Sequence, residues 1–155
     1  HQLATSGVRG PVENEDYLSA QLRLASGARC VLEASRVAVG EQNSYGFEIH
    51  GTSGMVRWDY RRMGELEASL GSDFQDQPVS AVHVGPGSGD YAAFQPGAAN
   101  PMGYDDLKVI EAQRFLRSVV TGVPEGATVD DAVRSARALD AMTRSVDEGR
   151  WVTLA

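Results

Sequence analysis

Polar and apolar residues alternate early in the chain. In "YLSAQLRL" (residues 17–24), Ala20, Leu22 and Leu24 take one side while Ser19, Gln21 and Arg23 take the other. A period of two is that of a strand with one buried face. "ASGA" supplies a turn, so residues 16–40 predict a β-hairpin. Its second strand, residues 30–39, is apolar on both sides apart from Glu33, Ser35 and Arg36, which predicts a place inside a sheet. "GFEIHGTSGMVRWDY" (46–60) predicts a second hairpin, with Ile49 and Val56 flanking a "GTSG" loop in which Gly51 and Gly54 can take positive φ. "ELEASL" (65–70) and "PVSAVHV" (78–84) are two further strand candidates.

The period is then lost. Residues 85–103, "GPGSGDYAAFQPGAANPMG", are dense in glycine and proline and predict a long irregular loop with few apolar anchors, the most mobile internal segment. Two helices follow. Val109, Ala112, Leu116, Val119 and Val120 recur at helical spacing, and Gly122 and Pro124 end the run. Thr128 is the expected N-cap of the second helix, with Asp130 and Asp131 in its first turn. Val129, Val133, Ala136, Leu139, Thr143 and Val146 form its inner stripe, and Gly149 stops it. "RWVTL" (150–154) reads as a short last strand.

Strands first and helices afterwards predict an α+β domain: an open-faced, mostly antiparallel sheet with helices packed on one face. Leu116 and Val133, on the two inner stripes, are expected to be fully buried. Residues 1–155 are expected to form a single domain, with residues 1–14 a loose N-terminal segment. The uncovered sheet face then needs a partner. Trp58 and Tyr60 alternate on one of its strands and are the candidates for a dimer interface.

The net charge is −7, and Lys108 is the only lysine. A surface that neutralises phosphates needs clustered basic residues, so nucleic acid is excluded as a partner. Cys30 is the only cysteine, which rules out an intrachain disulfide and a thiolate metal cluster. No apolar run is long enough to cross a membrane, and a cytoplasmic protein is expected. The chain starts without methionine, so an upstream targeting segment could have been lost.

Candidate chemistry is sparse. "GPGSGD" follows a strand, but no sustained helix starts at its third glycine to receive a pyrophosphate. His1, His50 and His83 have no metal-ligand spacing. Glu48 and His50 alternate on a strand and read as a solvent-facing pair, while His83 stands at the mouth of the long loop. Asp105 and Asp106 are adjacent on a helix and point apart, which fits helix-start acids better than an acid/base pair. Ser35 with Arg36, and Asn43 with Tyr45, could bind hydroxyls or equally serve as cross-strand hydrogen bonds. No catalytic residue and no metal ligand is assigned.

Three segments in this order, "EASRVAVGEQNSYGFEIHGTSGMVRWDYRRMGEL", "GYDDLKVIEAQRFLRSVVTG" and "VDDAVRSARALDAMTRSVDEGRWVTL", resemble the C-terminal domain of the glucose–fructose oxidoreductase / inositol dehydrogenase / rhizopine catabolism (Gfo/Idh/MocA) family. The resemblance runs from about Glu15 to Leu154. It implies an NAD- or NADP-dependent oxidoreductase acting on sugars or cyclitols, in which a missing N-terminal Rossmann domain holds the cofactor. The C-terminal domain helps to wall the site of a small polyhydroxylated substrate and joins subunits into a homodimer or tetramer through its sheet face. It makes Asn43 and Tyr45 candidates for facing the substrate, and Arg36, His83 and Tyr104 are further candidates for lining it.

The family's glycine-rich fingerprint, its Glu-Lys-Pro motif and its Asp-x-x-x-His element match no position here, and neither Lys108 nor His50 replaces them. This chain alone is therefore expected neither to bind NAD(H) nor to be active. The competing expectation is a stand-alone binding or assembly module of the same fold.

Overall fold

The computed structural model describes residues 11, 14–93, 95, 97–98 and 100–154. The loose segment expected over residues 1–14 lies, apart from Pro11 and Asn14, outside the described residues. The chain divides into two units, residues 1–41 with 137–155, and residues 42–136.

The first unit carries the early hairpin. Strands β1 (Tyr17–Arg23) and β2 (Arg29–Ser35) pair antiparallel, with Tyr17 opposite Ser35 and Arg23 opposite Arg29. The Gly27 N–H closes the turn on the Leu24 carbonyl at 2.9 Å, and Gly27 takes φ +89°, a conformation open to glycine. The alternation expected of β1 is present: Leu18, Ala20 and Leu22 are partly covered, and the residues between them are exposed.

Two expectations fail in this unit. Among the described residues β2 pairs with β1 alone, so it is an edge strand and Val31 is exposed. Apolar residues on both sides of a strand record what it can bury, not how many neighbours its ladder finds. Residues 151–154 form no strand. Side-chain contact holds this tail instead, with the Arg23 guanidinium 4.3 Å above the Trp151 ring.

The second unit is built on a four-stranded antiparallel meander of β3 (Gly46–Gly51), β4 (Gly54–Asp59), β5 (Glu65–Leu70) and β6 (Ser80–His83), in that order. Only Gly54 of the two loop glycines takes positive φ, at +138°. A Cβ there would come within 2.2 Å of the Ser69 carbonyl on β5, so close strand approach requires glycine.

Helices α1 (Tyr104–Thr121) and α2 (Val129–Glu148) fall where the spacing predicts. The Gly103 N–H donates to Asp106 Oδ2 at 2.7 Å, which starts α1. Gly122 ends it at φ +69°, its N–H on the Ser118 carbonyl at 2.9 Å. At the start of α2, Asp131 Oδ2 accepts from the Thr128 N–H at 2.8 Å and the Thr128 hydroxyl at 2.9 Å. These bonds hold the Asp131 carboxyl below its ordinary pKa, the backbone bond contributing most. Antiparallel strands with two helices make the predicted α+β class, with the strands sorted into two sheets.

Burial follows a different pattern from the one expected. Leu116 is 62% exposed and Val133 44%, so neither is the buried core residue its stripe suggests. An amphipathic stripe expresses a preference, and burial needs a facing surface. Residues 85–103 show the reverse. Residues Gly89–Ala93 form a 3₁₀ turn that sinks Tyr91 to 2% exposure, its hydroxyl donating to the Pro101 carbonyl at 3.3 Å. Arg114 on α1 holds Asp90 at 2.6 Å. Across the base of the segment, Met102 and Val84 crowd Gly64. The segment expected to have few apolar anchors thus carries the most buried large side chain among the described residues.

Candidate functional site

Register divides the β3–β6 sheet into two faces of opposite chemistry. Phe47 opposes Trp58, Ile49 opposes Val56, Val56 opposes Ala68, and Leu66 opposes Val82. These positions share one face because successive strand residues point to opposite sides. Glu48 opposes Arg57, and Arg57 opposes Glu67, on the other face.

The apolar face is led by aromatic rings. Phe47 stacks on Trp58 with centroids 5.9 Å apart. Tyr45 meets Trp58 edge-on at 5.9 Å, and Tyr60 lies 6.3 Å from Tyr45 and 6.2 Å from Trp58. These are the separations at which aromatic pairs attract. The Tyr60 N–H donates to the Tyr45 carbonyl at 2.8 Å, tying the strand ends together, and Trp58 Nε1 donates to the Met63 carbonyl at 3.1 Å. Asn43 takes φ +50°, a conformation asparagine tolerates, and its carbonyl accepts from the Tyr45 N–H at 2.8 Å. Phe47 is 48% exposed and Ile49 58%. The cluster is held in shape yet left open to solvent.

The charged face closes on itself. His50 Nε2 lies 2.7 Å from Glu48 Oε1, the solvent-facing pair expected from their spacing. Arg57 is bonded to Glu67 and Arg62 to Glu65, and each carboxylate raises the pKa of its arginine. Asp59 accepts from the Arg61 side chain and from its N–H at 2.8 Å, which keeps its carboxyl below the ordinary value. A shallow depression of about 330 Å³ lies among Arg57, Asp59, Arg62, Glu65 and Glu67. With every one of these charges answered by a neighbour, it offers little to an ionic ligand.

The substrate-lining candidates are dispersed. Tyr45 joins Trp58 and Tyr60, so a residue expected to face substrate shares a cluster with the two expected at a dimer interface. His83 ends β6 opposite Glu65. Tyr104 opens α1 with the Lys108 ammonium 5.3 Å from its ring, and Lys108 itself pairs with Glu111 at 2.6 Å. Arg36, in the first unit, pairs with Asp16 at 3.6 Å. Sequence reasoning passed over Phe47 and Tyr91. Phe47 sits two residues after Tyr45, a period-two signal that was available; nothing local marks Tyr91. Among the described residues no group of three or more His, Cys, Asp or Glu could hold a metal ion, and no helix is long and apolar enough to cross a membrane.

The model of an oxidoreductase family's C-terminal alpha/beta domain matches residues 2–154. Levoglucosan dehydrogenase of Pseudarthrobacter phenanthrenivorans is 33% identical over 147 residues, 94% of this chain and 38% of that protein. A solved levoglucosan dehydrogenase in complex with NADH and levoglucosan is similar at a TM-score of 0.87 and 33% identity, over 94% of this chain and 40% of that one. An NAD binding oxidoreductase from Klebsiella pneumoniae is similar at a TM-score of 0.79 and 29% identity, over 93% and 39%. The chain therefore spans 38–40% of the length of these relatives.

Proposed function

The chain belongs to this Gfo/Idh/MocA oxidoreductase family as its C-terminal alpha/beta domain, and we propose that residues 1–155 act as the substrate and oligomerisation domain of an NAD(P)-dependent sugar or cyclitol dehydrogenase. The observation that carries the proposal is the likeness to a dehydrogenase solved with both NADH and a sugar, extending over 94% of this chain. It favours NAD over NADP and an anhydrosugar or a related polyol as substrate. Cofactor binding and hydride transfer then belong to a Rossmann domain outside this chain, and no residue here is given a catalytic role. The setting is the cytoplasm.

The aromatic cluster suits both duties of such a domain. A sugar has an apolar C–H face and a rim of hydroxyls, and Tyr45 offers a ring and a phenol beside the polar Asn43. His83, at the mouth of the 85–103 segment, Arg36 and Tyr104 are further substrate-lining candidates. Further along the same face, Phe47, Ile49 and Trp58 present the apolar surface that a homodimer or tetramer would cover. Substrate site and assembly surface then meet at Tyr45.

Joined to its upstream Rossmann coding sequence, the protein should reduce NAD with levoglucosan or a related sugar, followed by NADH absorbance. Tyr45→Ala should lower kcat/KM by about tenfold or more while leaving NADH affinity unchanged. Turnover of no sugar or cyclitol would overturn the assignment, and an unaffected Tyr45→Ala enzyme would remove Tyr45 from the site. The isolated chain should give no saturable NADH fluorescence titration.

A further inference from the structure

We propose that the turn end of the β1–β2 hairpin is a binding site for a phosphoryl group, formed by Arg23 and Arg29 with Trp151 as its floor. The two arginines stand directly opposite each other in the antiparallel register. Side chains so placed have Cβ atoms about 5 Å apart, and like charges there repel. Among the described residues no carboxylate pairs with either. Every other described arginine except Arg137 has one: Asp16, Glu67, Asp59, Glu65, Asp90, Glu125, Asp131 or Glu148. In a chain of net charge −7, two facing arginines left without acids form an unusual local excess of positive charge.

The site has shape as well as charge. The Arg23 guanidinium lies 4.3 Å from the Trp151 ring centroid, which holds its plane and leaves its N–H edge free to donate. A depression of about 280 Å³ lies among Gln21, Arg23, Arg29, Val31 and Trp151, so the Gln21 amide adds a neutral donor. Two guanidinium forks match the charge and the several oxygens of a phosphate dianion, whereas one fork satisfies a carboxylate. The relief of Arg23–Arg29 repulsion on binding adds to the preference.

The test is calorimetric titration of the full chain with inorganic phosphate at low ionic strength. Saturable binding at one site per chain is expected, with acetate about tenfold weaker. Arg23→Gln and Arg29→Gln should each weaken phosphate binding by about tenfold or more, Arg29→Lys by less, and Arg137→Gln not at all. Phosphate should raise the melting temperature of the wild type and not of Arg29→Gln, whose own melting temperature without phosphate should equal or exceed the wild type's once the repulsion is gone. Tighter binding of glucose 6-phosphate than of inorganic phosphate would identify a phosphorylated small molecule as the ligand, and the reverse order the free anion. Equal affinity for acetate, or an equal loss in Arg137→Gln, would overturn the proposal.

Discussion

On one face of the four-stranded sheet, Glu48, Arg57 and Glu67 stand side by side across three strands, and the charges there find each other. On the other, Phe47, Ile49, Val56 and Trp58 line up with nearly half or more of Phe47 and Ile49 in contact with solvent. The same backbone ladder serves both. Polar groups can be satisfied by neighbours a few ångströms away along the strand, so a charged face can be complete within one chain. Apolar groups are satisfied only by removal from water, which takes a second surface. The charged face is complete within the sheet, and the apolar face is left open to solvent.

Trp58→Glu, on the apolar face, should have the largest effect. We expect the isolated chain to be a homodimer burying on the order of 1,600 Å² or more. A carboxylate at the centre of that surface would be desolvated without a partner and should weaken association by about 100-fold or more. Arg57→Gln, on the opposite face, should leave association unchanged. Sedimentation of both variants with circular dichroism separates the outcomes: a monomeric wild type ends the dimer proposal, and an unfolded Trp58→Glu chain would mean that the ring, whose N–H reaches the Met63 carbonyl, packs within the chain instead.

Tyr91→Ala calibrates both faces against true burial. With the ring at 2% exposure, its removal should cost about 3–5 kcal/mol, read from denaturant unfolding. A loss below about 1 kcal/mol would show that residues 85–103 do not depend on this anchor. The contrasting variant is Leu116→Ala. At 62% exposure it should cost less than about 1 kcal/mol in a monomeric sample. A cost of about 2–4 kcal/mol would mean that α1 buries its stripe in solution.

The smallest effect should be a pH dependence at α2. The Asp131 carboxyl is held below its ordinary value of about 4 by the Thr128 N–H and hydroxyl. A depressed folded pKa means that its contribution is complete above the unfolded value and is lost as pH falls through the folded one. Helical ellipticity should therefore decline with acid in that window, and less so in Asp131→Asn. Identical acid profiles would remove the cap from the account.

Much of the architecture was legible in the residues. Alternation located β1, "GTSG" located the β3–β4 turn, and 3.6-residue spacing with Thr128, Gly122 and Gly149 bounded the helices. These signals are local: a strand's faces, a cap's hydrogen bonds and a glycine's φ are decided within a few residues. The Glu48–His50 pair was legible for the same reason, since the partners lie two apart on one strand. Three of the four rings in the aromatic cluster were legible too: Tyr45, Trp58 and Tyr60 were singled out and Phe47 was not.

The rest was decided by tertiary structure. Arg57 meets Glu67, ten residues away, because β4 and β5 pair in one register, and a shift by one residue would have moved the glutamate to the apolar face. Tyr45 came to share a cluster with Trp58 through the pairing of β3 with β4. β2 became an edge strand and Leu116 stayed exposed, while Tyr91, in a run of glycine, proline and small residues, became the buried anchor. The chain order of polar and apolar residues determined which side chains favour leaving water. Which of them do so depended on the surfaces that strand pairing and packing brought within reach, and those surfaces come from residues far apart in sequence.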